Sequence, residues 1–309
     1  MRIALAQIWS TRDPSRNLRE VERAVEEAAG EGASLVVFPE ATMTAFGSDL
    51  AAAAEPLDGP WASAVRELAA RLDVTIVVGT FTPGRDGRVR NTLLVAGPAG
   101  EQLAAYDKVH LFDAFGHAES DSVEGGDEAV TVSVGGGDEA VTVSVGGGRG
   151  GVDGRAAVVG LATCYDLRFP ALFLANAAAG AEISVVAASW GDGPGKVDQW
   201  QLLTRARAAD STTFVVAVGQ ADPTAVAAAA RASGDAETED AATAAAASAS
   251  PTGVGHSLVA SPFGAVVAEL GAAPGILVVD LDLDEVAAAR RTLPVLANQR
   301  FAVASRPGS

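Results

Sequence analysis

Gly160-Leu-Ala-Thr-Cys-Tyr-Asp-Leu-Arg-Phe-Pro170 is the stretch from which the rest of the chain can be read. An apolar run, Ala156 to Ala162, leads into it and predicts a buried β-strand. Pro170 suits the first turn of a following helix, where a missing N–H costs nothing. Cys164, the only cysteine, therefore falls on a sharp strand-to-helix turn. A thiol held there is placed as a nucleophile. Nearby backbone N–H groups can lower its pKa and bind an oxyanion. The competing reading is a buried structural cysteine, the common fate of a free thiol.

The bulk numbers exclude several classes. The 309 residues suffice for a sizeable core. The formal charge of −17 offers no basic stripe, so no nucleic-acid partner is expected. One cysteine rules out an intramolecular disulfide framework and fits a reducing compartment. The first ten residues are apolar but too short for a signal segment, and no run reaches transmembrane length. A soluble cytoplasmic protein with no membrane contact is the expectation.

Outward from the cysteine turn, strands and helices alternate. Ile3–Ile8 reads as a strand, and Asp13-Pro14 opens a helix with Leu18, Val21, Val25 and Ala28 on one face. Ser34–Phe38 is a buried strand that ends at Pro39-Glu40. A carboxylate just beyond a buried strand is where α/β folds put chemistry, although a lone surface charge competes. Thr75–Phe81 and Thr92–Ala96 form strands joined across Asp86-Gly87. Lys108 follows in Tyr106-Asp-Lys-Val-His-Leu-Phe112; alone, it reads as a snorkelling lysine. His110, Asp113, His117 and Glu119 have no metal-ligand spacing, so no metal is expected. After the cysteine turn come a small-residue helix (Ala171–Ala179), a strand (Ile183–Ser189), a loop (Trp190–Gly195), a helix (Gln199–Asp210) and a strand (Phe214–Val218). The order predicts an α/β fold with two sheet layers between helices, as one domain over 1–309.

Two segments stand apart. Residues 126–136 recur without change as 137–147, each copy holding one alternating strand, and only one copy need enter the sheet. Residues 225–250 are almost all Ala, Ser, Thr and acidic, which predicts an exposed insertion with partial helicity. Both are expected at the surface. Gly146, Gly148 and Gly151 match a dinucleotide-type glycine pattern, but a strand follows rather than a helix, so no nucleotide site is expected.

Glu40, Lys108 and Cys164 all stand at or just beyond strand ends. Together they could break a C–N bond. The thiol attacks a carbonyl or nitrile carbon, Glu40 takes its proton and later activates water, and Lys108 meets the oxyanion and favours a thiolate. On Val37-Phe-Pro-Glu40, Tyr106–Phe112, Leu161–Pro170 and Gly255-His-Ser-Leu-Val-Ala-Ser-Pro-Phe-Gly264, the chain resembles the nitrilase superfamily, the carbon–nitrogen hydrolases, over nearly its whole length. The resemblance implies a four-layer α-β-β-α sandwich, a Glu–Lys–Cys triad, no cofactor and a homodimer or higher homo-oligomer. It implies that Glu119 orients Lys108, and that the Tyr165 N–H completes the oxyanion hole. Cys-Tyr-Asp-Leu-Arg-Phe-Pro is similar to the Nit-type amidases, among them ω-amidase and deaminated glutathione amidase. A small-molecule amide is then the expected substrate; the same triad also serves nitrilases and N-carbamoyl amino acid hydrolases. The chain departs from the Nit pattern at Trp190 and Gly191–Asp198, in the expected substrate pocket. Lys196 there is the expected specificity cation. Arg168 is expected to brace the cysteine turn in an ion pair.

Overall fold

The computed structural model describes residues 1–135, 142–144, 156–248 and 250–301. The glycine pattern at 146–151 lies outside them. Strand β1 (Arg2–Gln7) leads to helix α1 (Pro14–Gly30), strand β2 (Leu35–Val37), short α2 (Leu50–Ala53) and α3 (Pro60–Leu72). Strands β3 (Thr75–Pro83), β4 (Val89–Ala96) and β5 (Gln102–Asp107) follow, then a small hairpin, β6 (Asp113–Ala114) and β7 (His117–Ala118). The second half holds β8 (Val130–Val134), β9 (Thr142–Ser144), β10 (Ala157–Thr163), α4 (Pro170–Ala178), β11 (Ile183–Ala188), α5 (Lys196–Ser211) and β12 (Phe214–Gly219). Helices α6 (Pro223–Ser233) and α7 (Ala236–Ala246), strands β13 (Leu258–Ala260), β14 (Val266–Glu269) and β15 (Gly275–Asp280), and helices α8 (Asp284–Thr292) and α9 (Val295–Asn298) complete it.

Six strands form one sheet, in the order β15-β1-β2-β3-β4-β5, and seven form the other, β14-β13-β12-β11-β10-β8-β9. Each has a parallel centre: β1-β2-β3 in the first, β10-β11-β12 in the second. Such strands are covered on both faces, which is why they read as unbroken apolar runs. The period of two sorts Leu35-Val-Val-Phe38 accordingly. Leu35 and Val37 face a core shared with the second sheet, where Val159, Leu161 and Val216 lie. Val36 and Phe38 face α1 and α3, packing with Val21, Val25, Trp61 and Val65. Phe38 is fully buried; truncating it to alanine would cost about 3–5 kcal/mol. The chain is the α-β-β-α sandwich its pattern predicted.

The repeat differs from expectation. Both copies of the repeat enter the second sheet. The strand of the first copy pairs with β10, and that of the second lies antiparallel outside it, Thr131 opposite Val143. The sheet edge has room for one more strand, so the copies do not compete for one place. The alanine-rich residues 225–246 fall within α6 and α7. They complete a helical hairpin in which Val226 and Ala227 of α6 meet Ala242 of α7, with Trp9 against them. Alanine's helix propensity and the caps at Asp222 and Asp235 suffice for two short helices. Most of the α7 surface remains exposed.

Candidate active site

Glu40, Lys108, Glu119 and Cys164 converge in one small pocket. Each is delivered by the end of an element. Glu40 lies three residues beyond β2, in a turn pressed against β3 at Gly79. A Cβ on Gly79 would come within 2.8 Å of the Glu40 Cα, so only glycine lets the turn sit there. Ala41 and Cys164 both adopt left-handed backbone, with φ of 58° and 48°. Non-glycine residues accept that strain where surrounding contacts hold them.

The carboxylate of Glu40 is fully buried and fully engaged. Its Oε1 accepts from Asn91 Nδ2 at 2.7 Å and from Lys108 Nζ at 3.0 Å, and its Oε2 accepts from the Ser189 N–H at 2.7 Å. Gln220 Nε2 donates to the Glu40 carbonyl at 2.9 Å. Lys108, directly after β5, also donates to both oxygens of Glu119, at 3.0 and 2.8 Å. It does not snorkel; it is 2 % exposed. Glu119 Oε2 also accepts from the Phe112 N–H at 2.7 Å. Burial acts to discharge the ammonium, but the carboxylates of Glu40 and Glu119 outweigh it and hold its pKa well above the ordinary lysine value. Removing the lysine would strand two buried carboxylates, a loss of about 3–5 kcal/mol.

Cys164 opens a 3-10 turn (Cys164–Arg168) between β10 and α4. Its Sγ lies 3.8 Å from the Ser189 carbonyl. Burial and the Glu40 carboxylate push its pKa well up; Lys108 pulls the other way, and Glu119 adds to the rise. The surroundings thus oppose a resting thiolate, because the carboxylates counter the pull of Lys108 that the sequence alone suggested. Two carboxylates against one ammonium leave a net negative surround.

A latch ties the cysteine turn to the lysine loop. Asp166 Oδ2 accepts from the Thr163 N–H at 2.8 Å and the Tyr106 hydroxyl at 2.6 Å, while Oδ1 accepts from the His110 N–H at 3.0 Å. His110 Nδ1 also meets Oδ1, at 2.7 Å, and its ring stacks on Phe169 with centroids 3.7 Å apart. Asp166, Tyr106, Asn91, Ser189 and Gln220 were not anticipated as site residues. For three of them a signal was available: Ser189 and Gln220 directly follow the apolar strands β11 and β12, and Tyr106 stands next to last in β5. His110 and Glu119 are thus committed to other partners, and no group of three metal-ligating side chains occurs among the described residues.

Tyr165 lines the pocket, edge-on to Phe112 and Phe169. Trp190 is buried beside it, its Nε1 donating to the Lys196 carbonyl at 3.0 Å. Lys196 is the first residue of α5 rather than part of the loop, because Gly195 turns the chain at φ 71°. Its Nζ sits 4.9 Å from the Phe115 ring centroid and 5.8 Å from that of Trp190. Arg168 makes no ion pair with a described residue, contrary to expectation. It donates to Gln199 Oε1 at 2.7 Å and lies 5.2 Å above the Trp190 ring. Burial and the neighbouring Arg168 charge lower the Lys196 pKa.

A sequence model described as carbon-nitrogen hydrolase matches residues 2–291. The chain therefore belongs to the carbon–nitrogen hydrolase family, and it is an amidase of that family. A Mycobacterium tuberculosis protein named only as a hydrolase is 50 % identical, over 97 % of this chain and 95 % of its own length. A deaminated glutathione amidase of Escherichia coli O157:H7 is 32 % identical, over 98 % of each chain. Among solved structures, Saccharomyces cerevisiae Nit3, of the nitrilase superfamily, superposes with a TM-score of 0.72 at 23 % identity, covering 97 % of both chains. At that identity the likeness is one of fold. No helix among the described residues is long and apolar enough to cross a membrane.

Proposed function

We propose that this amidase hydrolyses a small amide that carries a carboxylate at its far end, as an ω-amidase or a deaminated glutathione amidase would. One observation carries the reading: Lys196 and Arg168 flank the pocket that holds Cys164, and neither has a carboxylate within 4 Å among the described residues. In a chain of net charge −17, two neighbouring cations free of acidic partners form a local anion site. The sequence resemblance to the Nit-type amidases supports the same choice.

Cys164 is the nucleophile in this mechanism. Because its surroundings favour the neutral thiol, Glu40 removes the proton as sulfur attacks the amide carbon. The Lys108 ammonium, swinging one hydrogen from Glu119, and the Tyr165 N–H receive the oxyanion. That N–H belongs to the first turn of its helix and has no intrahelical acceptor. Glu40 returns the proton to the departing nitrogen, and the C–N bond breaks to leave a thioester. Water then attacks, with Glu40 as base, and the acid leaves. Glu119 holds Lys108 in place. The reading extends to a cytoplasmic homodimer. Its support is the single free cysteine and two exposed apolar side chains, Leu202 of α5 at 64 % and Phe263 at 50 %.

An ammonia-release screen over short ω-amide acids, neutral amides, nitriles and N-carbamoyl amino acids tests the proposal. The ω-amide acids should have the highest kcat/KM; a preference for neutral amides, nitriles or carbamoyl compounds refutes it.

A further inference from the structure

Asn91 sits among the catalytic charges, yet the steps above give it no part. It lies on β4 between Val89 and Leu93, two positions away from each, and all three are buried. An amide thus interrupts an apolar strand face. Its backbone carbonyl accepts from the Lys108 N–H at 2.9 Å. Its Nδ2 donates to Glu40 Oε1 at 2.7 Å and reaches Glu119 Oε1 at 3.4 Å. One residue therefore touches all three charged groups behind the thiol. The carboxylates fix which way the amide points, because Oδ1 turned toward them would meet only acceptors. Oδ1 is left buried, with no hydrogen-bond partner among the described residues. Native folds seldom carry that cost. A leucine would fill similar space without it, so the gain lies in what Nδ2 does.

The reaction shows what is needed there. At rest Lys108 Nζ donates to Glu40 Oε1 and to both oxygens of Glu119. One of those hydrogens must turn to the oxyanion. Glu119 Oε2 then keeps the Phe112 N–H at 2.7 Å. Glu119 Oε1 keeps Asn91 Nδ2, whose second hydrogen is the one donor left to it among the described residues. Asn91 is not a wall of the catalytic pocket, so it acts through these neighbours rather than on the substrate.

We propose that Asn91 is a positioning residue for amide hydrolysis: its Nδ2 bridges Glu40 and Glu119 and takes over Glu119 Oε1 while Lys108 turns to the oxyanion. The inference rests on the roles given above to Glu40, Lys108 and Cys164, and not on the choice of substrate. The charged and titratable groups facing the bridge are Lys108 after β5, Glu119 after β7, Glu40 after β2 and Cys164 after β10. The neighbouring Arg90 is committed to Asp107 and Glu124.

The test follows kcat and KM across pH for glutaric monoamide and for acetamide, using the full-length enzyme. Asn91→Leu removes both the donor and the orphaned acceptor, so circular dichroism should report a native fold. Its kcat should fall about tenfold or more on the amide that wild type accepts, with KM changed less than about twofold. The acid limb of its kcat profile should move up by about one pH unit, since a carboxylate that loses a donor binds its proton more tightly. A merely structural residue would lower stability without moving that limb. Asn91→Asp keeps the shape but, once ionised, has no hydrogen to give. It should be slowest near about pH 8 and gain activity toward about pH 5, as the new carboxyl takes up a proton and can donate again. Asn91→Leu with the wild-type kcat and acid limb, a loss confined to KM, or Asn91→Asp with the wild-type pH profile would overturn this inference alone. A wild-type enzyme that took acetamide but not glutaric monoamide would overturn the substrate class and leave Asn91 to be judged on acetamide. Turnover of neither would overturn both.

Discussion

The inner wall of the pocket and its mouth are built on opposite plans. At the inner wall every charge has a partner: Glu40 accepts three hydrogen bonds, Lys108 makes three, and Asp166 locks two loops together. At the mouth, Lys196 and Arg168 lie over aromatic rings with no acidic partner among the described residues. The inner wall is rigid because buried charges must be paired to be tolerated. The mouth keeps charges unpaired where solvent still reaches them, which leaves them available to a ligand. Chemistry lives in the first region and selection in the second, so substitutions in the two should fail in different ways.

The largest effect belongs to the inner wall. Cys164→Ala should reduce turnover to the uncatalysed background in an ammonia-release assay, with unfolding by denaturant little changed. Glu119→Gln should come next. Lys108 keeps Glu40 as its counter-ion, so circular dichroism should report a native fold while kcat falls about 10²-fold. Wild-type kinetics would remove Glu119 from the site. At the mouth, Lys196→Ala should raise KM for ω-amide acids about tenfold, roughly 1.4 kcal/mol, and leave neutral amides nearly unaltered. Equal effects on both would erase the division between wall and mouth.

Two predictions lie outside the pocket. The Arg85 N–H, at 2.6 Å, and the Arg90 guanidinium hold the Glu124 pKa down to about 2. A carboxyl depressed on folding stabilises the protein above its unfolded pKa, and that contribution fades as pH falls from about 4.5 toward 2. Glu124→Gln should therefore flatten the acid limb of a stability–pH curve measured by urea unfolding. The smallest effect is expected from deleting residues 137–147. This removes the outermost strand of the second sheet and leaves β8 on β10, so stability should change by less than about 1 kcal/mol. An insoluble product would make the second copy structural.

The residues that do the chemistry were legible in the sequence and the partners that hold them were not, for a physical reason. Lys108 and Cys164 follow buried strands directly and Glu40 comes three residues after one, so the strand ends deliver all three to the same place. Glu119 was legible only through resemblance, since nothing local in Ala-Glu-Ser-Asp marks its reach to Lys108. Asn91 and Asp166 act across 51 and 60 residues of chain, distances that no local pattern encodes. Lys196 could be singled out as a cation, but its aromatic surround is assembled from Phe112, Phe115 and Trp190 only on folding. Lys108 alone would favour a thiolate, but folding brings Glu40 and Glu119 beside Cys164 as well, and they oppose it.

The mechanism turns on a thioester formed at Cys164. Acid quench of the enzyme within its first turnovers of an ω-amide acid, followed by peptide mass analysis, tests it most directly. The account predicts that the peptide holding Cys164 gains the mass of the acyl group, and that the adduct is lost on treatment with hydroxylamine. Ammonia released in a burst with no added mass on that peptide would contradict it.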